Sequence, residues 1–136
     1  MIEIIPIKNL KQVINTILRQ RAEQASSRRS TEYIVMYENK EVAILSYEDW
    51  SDKKLGFIYE IYVLPEYREK GIGTKLLLFS ENKAIQLGCN RLELNANPFD
   101  RSIEKDILIS WYEKHGYVMQ SNSFERMEKL VVVENW

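Results

Sequence analysis

The chain has 136 residues, 45% hydrophobic and 29% charged, with 5 Gly and 3 Pro, which excludes disorder and fibrous repeats and predicts one domain over residues 1–136. Its 19 Lys and Arg against 20 Asp and Glu give a formal charge of -1, which argues against nucleic acid or an anionic membrane as a partner. One Cys and one His exclude a disulfide framework and a closed Cys/His zinc site, predict no metal, and leave backbone groups, carboxylates and 8 Tyr to carry any chemistry.

Residues 1–6 lack the basic region and long apolar stretch of a signal peptide, and no apolar run reaches membrane-spanning length, so a soluble, cytoplasmic protein is expected. Leu10, Val13, Ile14, Ile17 and Leu18 recur at helical spacing and predict a helix over 10–24, followed by a polar, basic loop at 26–31. Residues 33–37 and 42–47 read as strands joined by a hairpin turn, and 49–54 as a second polar connection. The run 57–64 is apolar and aromatic almost throughout, as in a central strand covered on both faces, and Pro65 ends it. After Gly71, the spacing of Ile72, Leu76, Leu77, Phe79, Ala84 and Ile85 predicts a helix that Gly88 closes. A strand is expected at 91–95 and a helix at 102–115, with Ile103, Ile107 and Trp111 in register and Gly116 at its end. Strands at 117–119 and 124–133 complete the chain. Strand, helix and strand across 57–95 imply a parallel pair, whereas both ends of the chain read as hairpins. The expected class is α+β in α/β/α layers, a mixed and mostly antiparallel sheet with helices on both faces.

The segment 63–75 carries the chemistry. Gly71 and Gly73 flank one residue at a helix entrance, preceded by Arg68 and Lys70. Glycine lets the backbone approach a ligand closely, and the first helical turn offers unpaired N–H groups and positive partial charge. Together they make an anion site suited to phosphate or pyrophosphate. A Walker A loop fails, because the order is Gly73-Thr74-Lys75 with no earlier Gly at the right distance, and a dinucleotide fingerprint fails because Leu76 stands where its third Gly belongs. The pattern Arg/Gln-x-x-Gly-x-Gly/Ala is met by Arg68, Gly71 and Gly73.

The stretch 61–77 resembles the acetyl-CoA-binding core motif of the GNAT N-acetyltransferase superfamily, and Trp111-Tyr-Glu-Lys-His-Gly-Tyr117 resembles a later segment of the same family. The resemblance implies the GNAT fold, with a splayed central parallel pair, and acetyl-CoA as co-substrate for direct transfer to an amine-bearing acceptor, a small molecule or a peptide. It implies a cofactor site made of Ile61, Tyr62, Val63, Arg68, Glu69, Lys70, Gly71, Ile72, Gly73 and Thr74, with the backbone of Val63 binding the acetyl carbonyl or pantetheine amides and N–H groups of Glu69, Gly71, Gly73 and Thr74 holding the pyrophosphate. Tyr112 matches the family tyrosine that acts as general acid toward the CoA sulfur; the alternative is that it packs like Trp111.

Glu60, the single charged residue inside the 57–64 run, is a candidate base, with a structural ion pair or a substrate-binding carboxylate as alternatives and a water chain if no side chain serves. Simple alternation sets Glu60 with Tyr62 and Leu64, and Phe57, Tyr59, Ile61 and Val63 on the other face. The family's pantetheine-binding Asn is replaced by Lys105, and Asn95 or Asn97 are candidates to stand in. His115 reads as a helix-ending residue and Cys89 as a packed thiol. Arg28 and Arg29 read as a solvated loop or an acceptor-orienting pair, Tyr47 and Trp50 as an acceptor wall or a homodimer surface, and Trp136 as packing on this chain or a partner. A non-catalytic acyl-CoA-binding regulatory module is the alternative function.

Overall fold

The computed structural model describes residues 1–100 and 102–131. Among the described residues seven strands form one sheet in the order β1-β2-β3-β4-β5-β7-β6. They are β1 (Ile2–Pro6), β2 (Ser30–Tyr37), β3 (Lys40–Trp50), β4 (Leu55–Val63), β5 (Arg91–Asn95), β6 (Val118–Met119) and β7 (Arg126–Leu130). Only β4 and β5 run parallel; the other described pairs are antiparallel. The helices are α1 (Thr16–Ala25), α2 (Ile72–Gln86) and α3 (Lys105–Lys114). None is long and apolar enough to cross a membrane.

The sheet separates two cores. On one face Leu76 and Leu77 of α2 and Tyr112 of α3 pack on Leu45, Ile58, Leu92 and Leu94; on the other, Leu18 of α1 meets Ile44, Tyr62 and Leu64. This is the layered α+β arrangement expected from the patterning. Three departures have identifiable causes. The helix expected over 10–24 is divided into a short 3-10 turn, Leu10–Gln12, and α1, because Asn15 caps α1 by accepting from Leu18 N–H at 3.0 Å. The Glu41 carboxylate holds the intervening Ile14 and Asn15 N–H groups, and Ile14 is left 81% exposed. β1 was not anticipated at all, since five residues ending in Pro6 carry too little pattern and are held by pairing with β2. The last strand is shorter than 124–133, and Val132, Val133 and Trp136 lie outside the described residues.

A fourth departure, a bulge in β4, matters for the site. Ser46 pairs with Glu60 but Tyr47 pairs with Ile58, so Tyr59 is an extra residue in β4. One inserted residue reverses the alternation: Ile58 faces the same core as Ile61 and Val63, while Tyr62 and Glu60 face α1. The expectation that Phe57, Tyr59, Ile61 and Val63 share a face is therefore corrected by the bulge.

Next to the bulge, the Tyr47 hydroxyl is buried against Gly56 with no hydrogen-bond partner among the described residues. A buried polar group without a partner costs roughly 1–3 kcal/mol, so Tyr47→Phe is expected to raise the unfolding free energy by about 1 kcal/mol. Gly56→Ala, whose methyl would collide with the Tyr47 ring, is expected to lower it by about 1–3 kcal/mol. Denaturant titration of both variants checks the pair of signs.

Candidate functional site

β4 and β5 are paired from Leu55–Arg91 to Ile58–Leu94, and β4 then runs on to Val63 with β3 as its partner. At the end of β4, Leu64 N–H donates to Val42 O at 2.9 Å, toward β3. Alternate residues of a strand point their amides to opposite edges, so Ile61 and Val63 turn theirs toward the gap left by β5. The Val63 carbonyl confirms the direction by accepting from Arg68 Nε at 2.9 Å rather than from a strand.

A cleft of about 460 Å³ fills this gap. Ile61, Tyr62, Val63, Arg68, Glu69, Gly71, Ile72, Gly73, Thr74 and Tyr112, all singled out from sequence, line it. Lys70 is exposed and does not line the cleft. The 15-residue helix α2 enters the cleft at its N-terminus. Gly71 caps it with φ +79°, without a side-chain hydrogen bond, and open space surrounds the position a Cβ would take. Glu69 is also left-handed, at φ +63°. The first-turn N–H groups of α2 thus stay available to an anion, and the left-handed Gly71 keeps side-chain bulk away from them. Gly73 has a second reason to be glycine: an added Cβ would stand 3.1 Å from the Trp111 ring.

The opposite wall is α3, which presents Ile103, from just before its start, Ile107, Leu108, Trp111 and Tyr112. Ile107 was expected on the buried side; it is 62% exposed because its neighbour is the cleft itself. Tyr112 is 6% exposed, and its hydroxyl has no partner among the described residues. Burial pushes the phenol well above its ordinary pKa, and the nearby Glu60 charge adds to the effect. Tyr112 therefore remains protonated at neutral pH and free to donate. His115 ends α3: its Nδ1 meets Trp111 O at 2.8 Å, and its Nε2 meets Thr74 Oγ1 of α2 at 3.0 Å. This link ties the anion-binding turn to the helix carrying Tyr112.

Beyond Tyr112 lies a small chamber of about 50 Å³ lined by Tyr59, Glu60, Asn95, Asn97, Phe99 and Asp100, sharing Ile61, Tyr62 and Tyr112 with the cleft. Tyr59 stacks on Phe99 with ring centroids 5.3 Å apart. Glu60, with its side chain 9% exposed, is bridged by Arg21 of α1. Burial raises its carboxyl pKa and the arginine opposes the rise. Asp100 is bound by Arg68 at 2.9 Å, and its hydrogen bonds from Ser102, followed by Arg68, hold its carboxyl well below the usual range.

Arg68 thus straps the open edge of β4 to the chain after β5, instead of standing free beside the anion turn. Asn97 donates to Glu125, which leaves Asn95 the less committed of the two candidates. Arg29 pairs with Asp52 at 2.7 Å and stacks on Trp50, away from both cavities, and Arg28 is exposed. Tyr47 is core rather than acceptor wall, and Cys89 is a packed thiol whose pKa burial raises. Arg21, Phe99, Asp100 and the Thr74–His115 link escaped sequence reasoning. Arg21 meets Glu60 across 39 residues, and no local spacing signals such a contact.

A family model described as the acetyltransferase (GNAT) family matches residues 8–117. The curated thialysine N-epsilon-acetyltransferase of Bos taurus is 39% identical over 49 residues, 36% of this chain and only 28% of that relative's length. Among solved structures, the IAA acetyltransferase from Bacillus cereus aligns with TM-score 0.73 at 18% identity, covering 96% of this chain and 99% of that one. A GNAT family acetyltransferase from Elizabethkingia anophelis with acetyl-CoA bound aligns with TM-score 0.67 at 16% identity, covering 95% and 97%.

A Gly71→Val substitution forces a β-branched residue into the left-handed region at the cleft mouth. It is expected to weaken coenzyme A binding at least about tenfold, equivalent to about 1.4 kcal/mol. Calorimetric titration checks this, and unaltered affinity would remove the α2 turn from the anion site.

Proposed function

The chain belongs to the GNAT acetyltransferase family, and from that premise we propose that it is an acetyl-CoA-dependent N-acetyltransferase, moving the acetyl group directly to a primary amine in a ternary complex. The observation that carries this reading is the adjacency of the two cavities, which share Ile61, Tyr62 and Tyr112 as walls. The uncapped turn of α2 opens one end of the cleft, and Tyr112 stands at the other, where the Glu60 chamber begins.

In this reading the N–H groups of Glu69, Gly71, Gly73 and Thr74 hold the pyrophosphate, and the edge of β4 at Ile61 and Val63 holds the pantetheine arm. Because Arg68 occupies the Val63 carbonyl, the Val63 N–H is left for the acetyl carbonyl, where it stabilises developing negative charge. Acetyl-CoA itself supplies the activated thioester. Glu60 accepts a proton from the acceptor ammonium, freeing the nitrogen to bond to the acetyl carbon as the carbon–sulfur bond breaks. Tyr112 donates its proton, or a hydrogen bond, to the departing sulfur, and the second proton shed by the nitrogen as the amide forms restores Tyr112 or protonates the thiolate. Burial suits both groups: a carboxylate with a raised pKa holds a proton more strongly, and a phenol with a raised pKa keeps its own until sulfur needs it.

Tyr112→Phe is expected to lower kcat by on the order of 10²-fold while leaving coenzyme A affinity unchanged. Thiol release from acetyl-CoA across a panel of amines, alongside calorimetry, measures both; tight acetyl-CoA binding with no thiol release from any amine would favour a non-catalytic binding module. Glu60 must be ionised to accept a proton, so activity should rise with pH through a limb lying above the ordinary carboxylate value of about 4.3. That limb should vanish in Glu60→Gln, and a limb unchanged in the variant would assign it to another group.

A further inference from the structure

The chamber beside Tyr112 and a groove along α1 lie on either side of Phe99. Phe99 borders both spaces, and the groove is lined by Ile17, Gln20, Arg21 and Gln24. These positions follow the i, i+3, i+4, i+7 spacing of one helical stripe, distinct from the buried stripe of Leu18, Ala22 and Ala25. This stripe of α1 therefore sets a half-buried arginine between two exposed amides along an open groove.

Arg21 stands between groove and chamber. Its Nη1 holds Glu60, and its guanidinium lies 3.8 Å from the centroid of the Tyr62 ring. Stacking fixes the plane of the group, and its remaining donors have no partner among the described residues. An arginine fork with one nitrogen engaged and the rest open matches a carboxylate. The surrounding charge narrows the choice of ligand. Each carboxylate of the chamber has an arginine, Arg21 on Glu60 and Arg68 on Asp100, so a polycation meets no net negative potential there. A molecule bearing an ammonium beside a carboxylate suits both members of the Arg21–Glu60 pair at once. The stacked Tyr59 and Phe99 rings offer an apolar wall for whatever else it carries.

We propose that the acceptor is an α-amino acid with an apolar or aromatic side chain, and that Arg21 is the residue that selects it by binding its carboxylate while Glu60 meets its ammonium. This inference rests on the acetyl-transfer reading for its chemistry but not for its binding site, and the two fail separately.

The test is a calorimetric titration of the protein saturated with coenzyme A, using L-phenylalanine, L-phenylalaninamide, phenethylamine and spermidine, in parallel with thiol release from acetyl-CoA for each amine. A charged hydrogen-bonded contact predicts that phenylalanine binds about 10- to 100-fold more tightly than its amide or its decarboxylated analogue. Arg21→Gln, and less severely Arg21→Lys, should bring that ratio to within about twofold without altering coenzyme A affinity. Phenethylamine or spermidine binding as well as phenylalanine in the unaltered protein would overturn the proposal, and this arm needs no variant. So would a preference that survives in Arg21→Gln. Phenylalanine binding that depends on Arg21, with no thiol release, would support the carboxylate site and overturn the transfer reading instead.

Discussion

Pairing between β4 and β5 ends at Ile58 and Leu94, and β4 then continues to Val63 against β3. A parallel pair that separates part-way leaves backbone amides inside the sheet without a strand to bind, and such groups are costly unless something occupies them. Here a cleft lies against that edge, the Arg68 side chain meets the Val63 carbonyl, and the Ile61 and Val63 amides face a ligand-sized space. The positions of α2, α3 and the small chamber all follow from this gap. α2 enters where β4 stops, α3 walls the opposite side, and the chamber is the narrow end where the strands begin to part.

The bulge at Tyr59 gives the same strand a second task. Under unbroken alternation Glu60 would share the face of Ile58, and so the core that holds it, where an ionised carboxylate is strongly disfavoured. With it, Glu60 turns to α1 and meets Arg21, while Ile61 and Val63 keep their apolar side chains toward α2. Buried ion pairs contribute little net stability once desolvation is counted, so the Arg21–Glu60 pair is better understood as holding a charged group ready than as strengthening the fold.

α3 is tied to the anion turn of α2 by side-chain contacts. Trp111 packs against Gly73, and His115 spans from Trp111 O to Thr74 Oγ1, so the turn that would grip phosphate and the helix that carries Tyr112 share contacts. A shift in either element would move the other. The exposed Ile107 is part of the same wall and owes its exposure to the cleft.

Residues 57–95 were legible because their signals are local. An apolar run stopped by Pro65, a Gly-x-Gly helix entrance and a helical stripe closed by Gly88 each follow from dihedral preference and periodicity within a few residues. The anion turn was therefore found from the residues themselves and Tyr112 from the resemblance of 111–117 to a family segment, and both line one cleft. The switch of face between Ile58 and Glu60, the partner Arg21, the strap from Arg68 to Asp100 and the joining of Thr74 to His115 were decided only by tertiary structure. A bulge reverses strand alternation without leaving a mark in composition, and each of these contacts joins side chains 32 to 41 residues apart, brought together by sheet register and helix docking.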